Sequence, residues 1–328
     1  MKIMEGKKIL ITGGLGFIGS NLAIECVKLG AEVTIFDCLD PRSGGNRYNV
    51  KDILKSVQVS YHNILDFDQV SQVVPEKDII FSCASSTSHA FSMREPWIDS
   101  DVNSKGVINL LEAVRRFNPT AKFVHLGTST QLGELVYQPA DEKHPEFPTD
   151  IYSANKSVSE KYTLIYSKAF GIASTVIRLS NVFGPRASIH SPEFTFNNYF
   201  IGLALQGKDI TVYGNGKQMR NILYVDDAVS AMILAAQSEA STGEVFLAVG
   251  DKHFSVVEIA EAIVKHIDKG KVVCVDWPTE KKAIDVGDAI LSNKKIKDLL
   301  GWVQRTKLES GLEKTKVYYK NCLHEYIR

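Results

Sequence analysis

Tyr152 and Lys156 stand four residues apart in DIYSANKSVSEKY. On a helix that spacing puts both side chains on one face, within reach of each other. A phenol titrates near ~10 and is a poor base at neutral pH, but a nearby positive charge favours the phenolate. Lowering it by roughly three units takes about 4 kcal/mol of differential stabilisation. Two adjacent positive charges in a partly dry site supply that, and the tyrosine can then take a proton from an alcohol. A surface Tyr and Lys on an amphipathic helix would show the same spacing, so the pair needs support from elsewhere in the chain. Part of it comes from FVHLGTSTQLGE, an apolar run ending in Thr128, Ser129 and Thr130. A hydroxyl at the C-terminal end of a parallel strand sits where ligands of such sheets bind. Thr128 can hydrogen-bond the reacting oxygen beside Tyr152.

The elements that must position these groups follow from hydrophobic patterning. KKILITGG reads as a strand and GSNLAIECVKLG as a helix; EVTIFDCLD, VQVSYHNILD, DIIFSCAS and KFVHLGTST read as further strands. DVNSKGVINLLEAVRRFNP has Val107, Leu110, Leu111 and Val114 at helix spacing, and Asp150 to Gly171 reads as one long helix. Strand then helix, repeated with apolar strands, predicts an α/β fold: a doubly wound parallel sheet. After Pro185 irregular stretches mix with short helices and strands (YFIGLALQG, ITVYG, NILYV), as in a smaller region built on the end of the sheet.

Gly13, Gly14, Gly16 and Gly19 lie between the first strand and the first helix. Gly13 and Gly14 permit a tight turn, Gly16 lets a pyrophosphate approach the backbone, and Gly19 lets helix and strand pack closely. The pyrophosphate would lie over the helix N-terminus, whose free N–H groups and dipole favour negative charge. Asp37 ends the second strand at the distance where a carboxylate accepts both ribose hydroxyls and repels a 2′-phosphate, which favours NAD over NADP. The nicotinamide ring is then the second positive charge beside Tyr152.

The 328 residues carry no net charge, with 44% hydrophobic and 23% charged residues, the composition of a globular protein. Zero net charge argues against a nucleic-acid partner. The five cysteines, Cys26, Cys38, Cys83, Cys274 and Cys322, are scattered without CxxC spacing, as thiols in a reducing compartment rather than disulfides or a metal site. MKIMEGKKIL is too polar for a signal peptide and no stretch reaches membrane-spanning length, so no membrane partner and a cytoplasmic address are expected.

The glycine loop, Asp37, the Thr128 strand end, Tyr152-x-x-x-Lys156, RLSNVFGPR, GNGKQMRNILYVDDA and the late LLGW at Leu299–Trp302 come in one order across almost the whole chain. That order resembles the extended short-chain dehydrogenase/reductase superfamily, in its nucleotide-sugar epimerase/dehydratase branch. The resemblance implies an NAD-binding Rossmann domain over residues 1–185, with some later segments returning to it, and a smaller α/β nucleotide-sugar domain mainly over 186–328. It implies that Gly13, Gly16, Phe17, Ile18 and Gly19 hold the pyrophosphate and Asp37 the ribose. Asn63 and Ile64 of HNILD would contact adenine, with Asn63 where the family usually has aspartate. Cys83, Ala84 and Ser85 would lie under the cofactor, where a leucine and two alanines are usual, and Asn103 beside it. Thr128, Tyr152 and Lys156 would be catalytic, the last two also touching the cofactor. Ser129, Asn181, Tyr213, Arg220 and Lys282 would bind substrate: Asn181 the diphosphate or the sugar, Arg220 the diphosphate, Tyr213 the base, and Lys282, with Lys281, near a late family arginine. A homodimer built on the Tyr152 helix and the helix around Val107–Val114 is implied, and no metal.

In the 4,6-dehydratases of this superfamily an acid pair follows the catalytic threonine, and the decarboxylases usually carry a glutamate in that turn; here stand Ser129 and Thr130. Eliminating water needs a general acid and base that these residues lack. A 4-epimerase needs only reversible oxidation at C4 and hydride return to the other face. The expected activity is therefore 4-epimerisation of a UDP-hexose or UDP-hexuronate, with a dehydratase, decarboxylase or reductase, or a non-catalytic NAD sensor, as alternatives. His89 and His190 fall in expected substrate loops, where solvated or packing roles are the plainer account. Cys83 reads more economically as a small thiol under the cofactor than as a nucleophile.

Overall fold

The computed structural model of the chain describes residues 3–282 and 285–327. Its centre is a seven-stranded parallel sheet. The strands are β1 (Lys8–Thr12), β2 (Glu32–Phe36), β3 (Val57–Ser60), β4 (Ile79–Ser82), β5 (Lys122–Thr128), β6 (Ser174–Leu179) and an edge strand, Val245–Ala248. From the other edge they run β3-β2-β1-β4-β5-β6 and then Val245–Ala248. The order reverses between β1 and β4, which is the switch point where doubly wound sheets open a crevice. β4 and β6 are buried along their whole length, as strands covered on both faces must be.

Helices cover both faces. On one side, α1 (Phe17–Lys28) and α4 (Val225–Gln237) join β1 and β2 in the larger apolar core. On the other, α2 (Gly106–Phe117) packs Val107, Leu110, Leu111 and Val114 into a core with Leu10, Ile80 and Phe123. The long helix α3 (Ile151–Phe170) runs beside α2. Asp150 caps α3 by accepting from the Ser153 N–H, and Gly171 ends it in the left-handed conformation at φ 71°.

The chain after Pro185 contributes both to a smaller region and to the main sheet. A three-stranded sheet joins Asn181–Phe183, Met219–Tyr224 and His253–Ser255, and Ile210–Tyr213 pairs with Val272–Val275. α4 packs back on α1, β5 and β6, and Val245–Ala248 extends the sheet beside β6. Trp302 of the LLGW segment is buried, its Nε1 donating to the Asp227 carbonyl and the Ser230 hydroxyl.

Candidate active site

A cleft of about 450 Å³ runs along the C-terminal ends of the parallel strands. The loop after β1 supplies Gly13, Gly16, Phe17, Ile18 and Gly19 to it, the end of β2 supplies Asp37, and the segment after β3 supplies Asn63 and Ile64. Cys83, Ala84 and Ser85 follow β4; Thr128 ends β5, with Ser129 and Thr130 in the turn after it; Tyr152 and Lys156 come from α3, and Asn181 from beyond β6.

The glycine loop is a cradle by construction. Gly13 has φ +68°, and a Cβ there would lie 2.8 Å from the Ala84 backbone. A Cβ on Gly19 would come 2.3 Å from the Gly13 carbonyl oxygen. Gly16 caps α1 without any side-chain bond to the first turn, so those N–H groups lack a side-chain partner where the cleft passes. Asp37 accepts from the Leu15 N–H at 3.0 Å and the Leu39 N–H at 2.8 Å. Burial lifts its carboxyl above the usual range, and those two bonds work against the rise. The bare loop, the uncapped N–H groups and this fixed carboxylate fit a dinucleotide pyrophosphate and ribose.

Asn63 spends its side-chain oxygen on the Leu65 N–H, leaving a second lone pair. The Thr12 hydroxyl accepts from the Cys83 and Ala84 N–H groups and fixes the floor of the cleft. Burial pushes the Cys83 thiol up to about 12, which disfavours the thiolate that a nucleophile would need. Asn103 is buried and does not line the cleft: it accepts from the Ser85 hydroxyl and the Ser86 N–H and donates to the Ser86 carbonyl. It shapes the loop that faces the cleft.

Thr128 and Tyr152 both line the cleft, and the Thr128 side chain stands close enough to favour the phenolate. Tyr152 is half-buried, and desolvation raises its phenol above the ordinary range while Thr128 pulls the other way. The buried Lys156 does not spend its ammonium on the phenol: Nζ donates to the Leu126 carbonyl at 2.5 Å and lies 3.4 Å from His125 Nε2. Burial pushes this lysine down to about 8. The expected lowering of the phenol is therefore absent from the protein by itself, because desolvation outweighs the one favourable neighbour.

Three expected substrate residues lie outside the cleft lining. Tyr213 packs on Trp277 with ring centroids 5.4 Å apart. Arg220 donates Nη2 to Asp285 Oδ1 at 2.8 Å and Nη1 to the Gly287 and Met219 carbonyls. Lys282 is exposed, and the side chain of Lys281 falls outside the described residues. Asn181 donates to the Asn221 carbonyl, and the buried Asn221 clips its strand to Gly250 through two bonds.

Sequence reasoning missed a polar chain beside Tyr152. The Thr130 hydroxyl bonds those of Thr128 at 3.1 Å and Ser153 at 2.9 Å, Ser153 donates to Asp150, and Asp150 pairs with His89. Asp150 three residues before Ser153 was a readable capping signal; its meeting with His89, 61 residues away, was not. His190 is exposed and bonds the Ser188 hydroxyl. Among the described residues no His/Cys/Asp/Glu cluster could hold a metal ion.

A family model described as GDP-mannose 4,6 dehydratase matches residues 10–315. The chain belongs to this family. The GDP-mannose 4,6 dehydratase family lies within the NAD-dependent nucleotide-sugar epimerases and dehydratases of the short-chain dehydrogenase/reductase superfamily. Its relative UDP-glucuronic acid decarboxylase 1 of Xenopus tropicalis is 32% identical over 97% of this chain and 73% of its own. The structure of UDP-glucose 4-epimerase from Thermotoga maritima with UDP-glucose is 28% identical, with a TM-score of 0.88 over 96% of this chain and 99% of that one. The UDP-glucose 4-epimerase of Thermus thermophilus in complex with NAD is 26% identical, with a TM-score of 0.84 over 96% and 99%. One fold thus serves relatives with different reactions, so the reaction must be argued from the site.

Proposed function

We propose that this chain is an NAD-dependent 4-epimerase of a nucleotide sugar, acting on a UDP-hexose or UDP-hexuronate through a transient 4-keto sugar. The observation that carries the reading is the turn after β5. Its side chains are hydroxyls, Thr128, Ser129 and Thr130, with Thr130 bonded to Thr128 and to Ser153, where dehydration would need a carboxyl pair. NAD, when bound, supplies a hydride acceptor that can return the hydride.

Gly13, Gly16, Phe17, Ile18 and Gly19 hold the pyrophosphate, Asp37 the ribose, and Asn63 and Ile64 the adenine. Cys83, Ala84 and Ser85 form the floor, and Asn103 fastens it from behind. Tyr152 takes the proton of the C4 hydroxyl, and Thr128 holds the same oxygen. Lys156, on the same helix as Tyr152, would supply positive charge at this end of the cleft and help to hold the cofactor. The desolvated phenol needs positive charge nearby to ionise, and the bound cofactor would add to that of Lys156. Ser129 and Asn181 face the sugar. Arg220 exchanges Asp285 for a diphosphate, Tyr213 packs against the base, and Lys282 approaches from the rim.

Exposed Phe117, Ile165 and Phe170 on α2 and α3 support a homodimer through these two helices. The free cysteines agree with a reducing, cytoplasmic setting. Residues 1–185 with Val245–Ala248 make the NAD domain, and most of 186–328 the nucleotide-sugar domain. The second reading, a decarboxylase, draws on the relative from Xenopus tropicalis. Incubation with UDP-glucose, UDP-galactose and UDP-glucuronate decides: an epimer of unchanged mass is expected, and loss of water or carbon dioxide as the only product refutes epimerisation.

A further inference from the structure

His89 opens a short helix, His89–Arg94, that the proposed C4 chemistry does not use. Its ring lies 4.8 Å from that of Tyr152 in an edge-to-face contact, and both line the same cleft. Nδ1 is 2.8 Å from Asp150 Oδ2, and the side chain of His89 is 35% exposed against 6% for Asp150. Asp150 is itself immobilised, because Oδ1 caps α3 at the Ser153 N–H and Oδ2 also accepts from the Ser153 hydroxyl. Burial disfavours its charge, yet the bonds to His89 and Ser153 keep the carboxyl below its usual range, hence ionised. In the neutral ring, an ionised carboxylate on Nδ1 selects the Nδ1–H tautomer, in which Nε2 is the acceptor. A carboxylate-oriented imidazole with one free nitrogen is the architecture of a general base.

We infer that His89, oriented by Asp150, is a second acid–base group of this site and removes the proton from the carbon beside the oxidised sugar carbon. The inference rests on the proposed oxidation at C4, which makes that neighbouring C–H acidic. The C–H bond breaks, its electron pair moves onto the carbonyl oxygen, and the proton goes to Nε2. The hydroxyls of Thr128 and Tyr152 hold the resulting enolate oxygen. Return of a proton to carbon restores the ketone with that centre retained or inverted, and no further oxidant or reductant is needed. The substrate class is thus narrowed to nucleotide sugars carrying a hydrogen on the carbon adjacent to C4 and facing His89.

The experiment is turnover in D2O with UDP-glucose, UDP-galactose and UDP-glucuronate, reading deuterium at carbon by mass spectrometry and NMR, with NADH absorbance as a separate readout of oxidation. The wild type is expected to place solvent deuterium on the carbon next to C4, and His89→Gln to lose this exchange at least about 100-fold while still forming NADH. Asp150→Asn, which keeps a capping side chain, is expected to lose exchange in the same direction and serves if His89→Gln does not fold. Epimer or NADH formation without deuterium in the wild type overturns the inference and leaves the epimerase reading standing. Undiminished exchange in His89→Gln overturns the assignment to His89. Absence of epimer, NADH and deuterium alike overturns the inference together with the oxidation on which it rests.

Discussion

At the scale of single residues, a tyrosine that works as a base must have its charge stabilised, and Tyr152 shows how little of that stabilisation the protein alone supplies. Its phenol is raised by desolvation and relieved by one hydroxyl. Tyr152→Phe should bind NAD as the wild type does while turnover of the UDP-sugar falls by about 10²–10⁴-fold, read by isothermal titration and product assay. Undiminished turnover would remove the tyrosine from the chemistry. Lys156 makes a prediction about stability. Its folded pKa of about 8 lies below the free value of 10.5, so between these limits the unfolded chain holds the extra proton. Burying the charge is a cost present in full below about pH 8 and released as the pH rises towards 10.5, worth about 3 kcal/mol. Urea unfolding of the NAD-free protein should show this rise, and Lys156→Met should flatten it. The TyrxxxLys spacing was legible in the sequence because helix geometry fixes it; the direction of each pKa was not, since desolvation depends on what the fold places around the pair.

Elements decide how near a ligand may come. The tight turn before α1 brings Gly19 against the Gly13 carbonyl, and a methyl group there would force backbone rather than side chain to move. Gly19→Ala should cost about 1–3 kcal/mol of stability by overpacking and weaken NAD binding by more than about tenfold, measured by thermal unfolding and titration; wild-type affinity would refute the cradle. Most elements were readable because period and punctuation agree. α3 begins after Asp150 and ends at Gly171 as a capping aspartate and a left-handed glycine require. Asp150 also shows the limit of such reading. Its capping role is local and visible in the sequence, whereas its bond to His89 exists only because the His89–Arg94 helix packs on α3.

For the molecule as a whole, a late segment is fastened to α4, the helix that packs on α1, β5 and β6. Asp227, on α4, accepts from the Arg305 and Thr306 N–H groups, and its carbonyl receives the Trp302 indole. Trp302→Ala should destabilise the protein by about 3–5 kcal/mol, with a lowered midpoint in urea, because it empties a buried site and removes two hydrogen bonds. A change under about 1 kcal/mol would mean that the segment is not a structural tie.

The sequence by itself determined the alternating strands and helices, the glycine turn and its carboxylate, and the order of motifs, because each follows from spacing along a regular backbone. The tertiary structure alone decided that Val245–Ala248 completes the sheet, that Asn103 stands behind the cleft, that Arg220 rests on Asp285, and that His89 reaches Asp150 beside Tyr152. These are meetings between segments distant in the chain. No local period encodes them, and they come into being only when the sheet is assembled and its edges are covered.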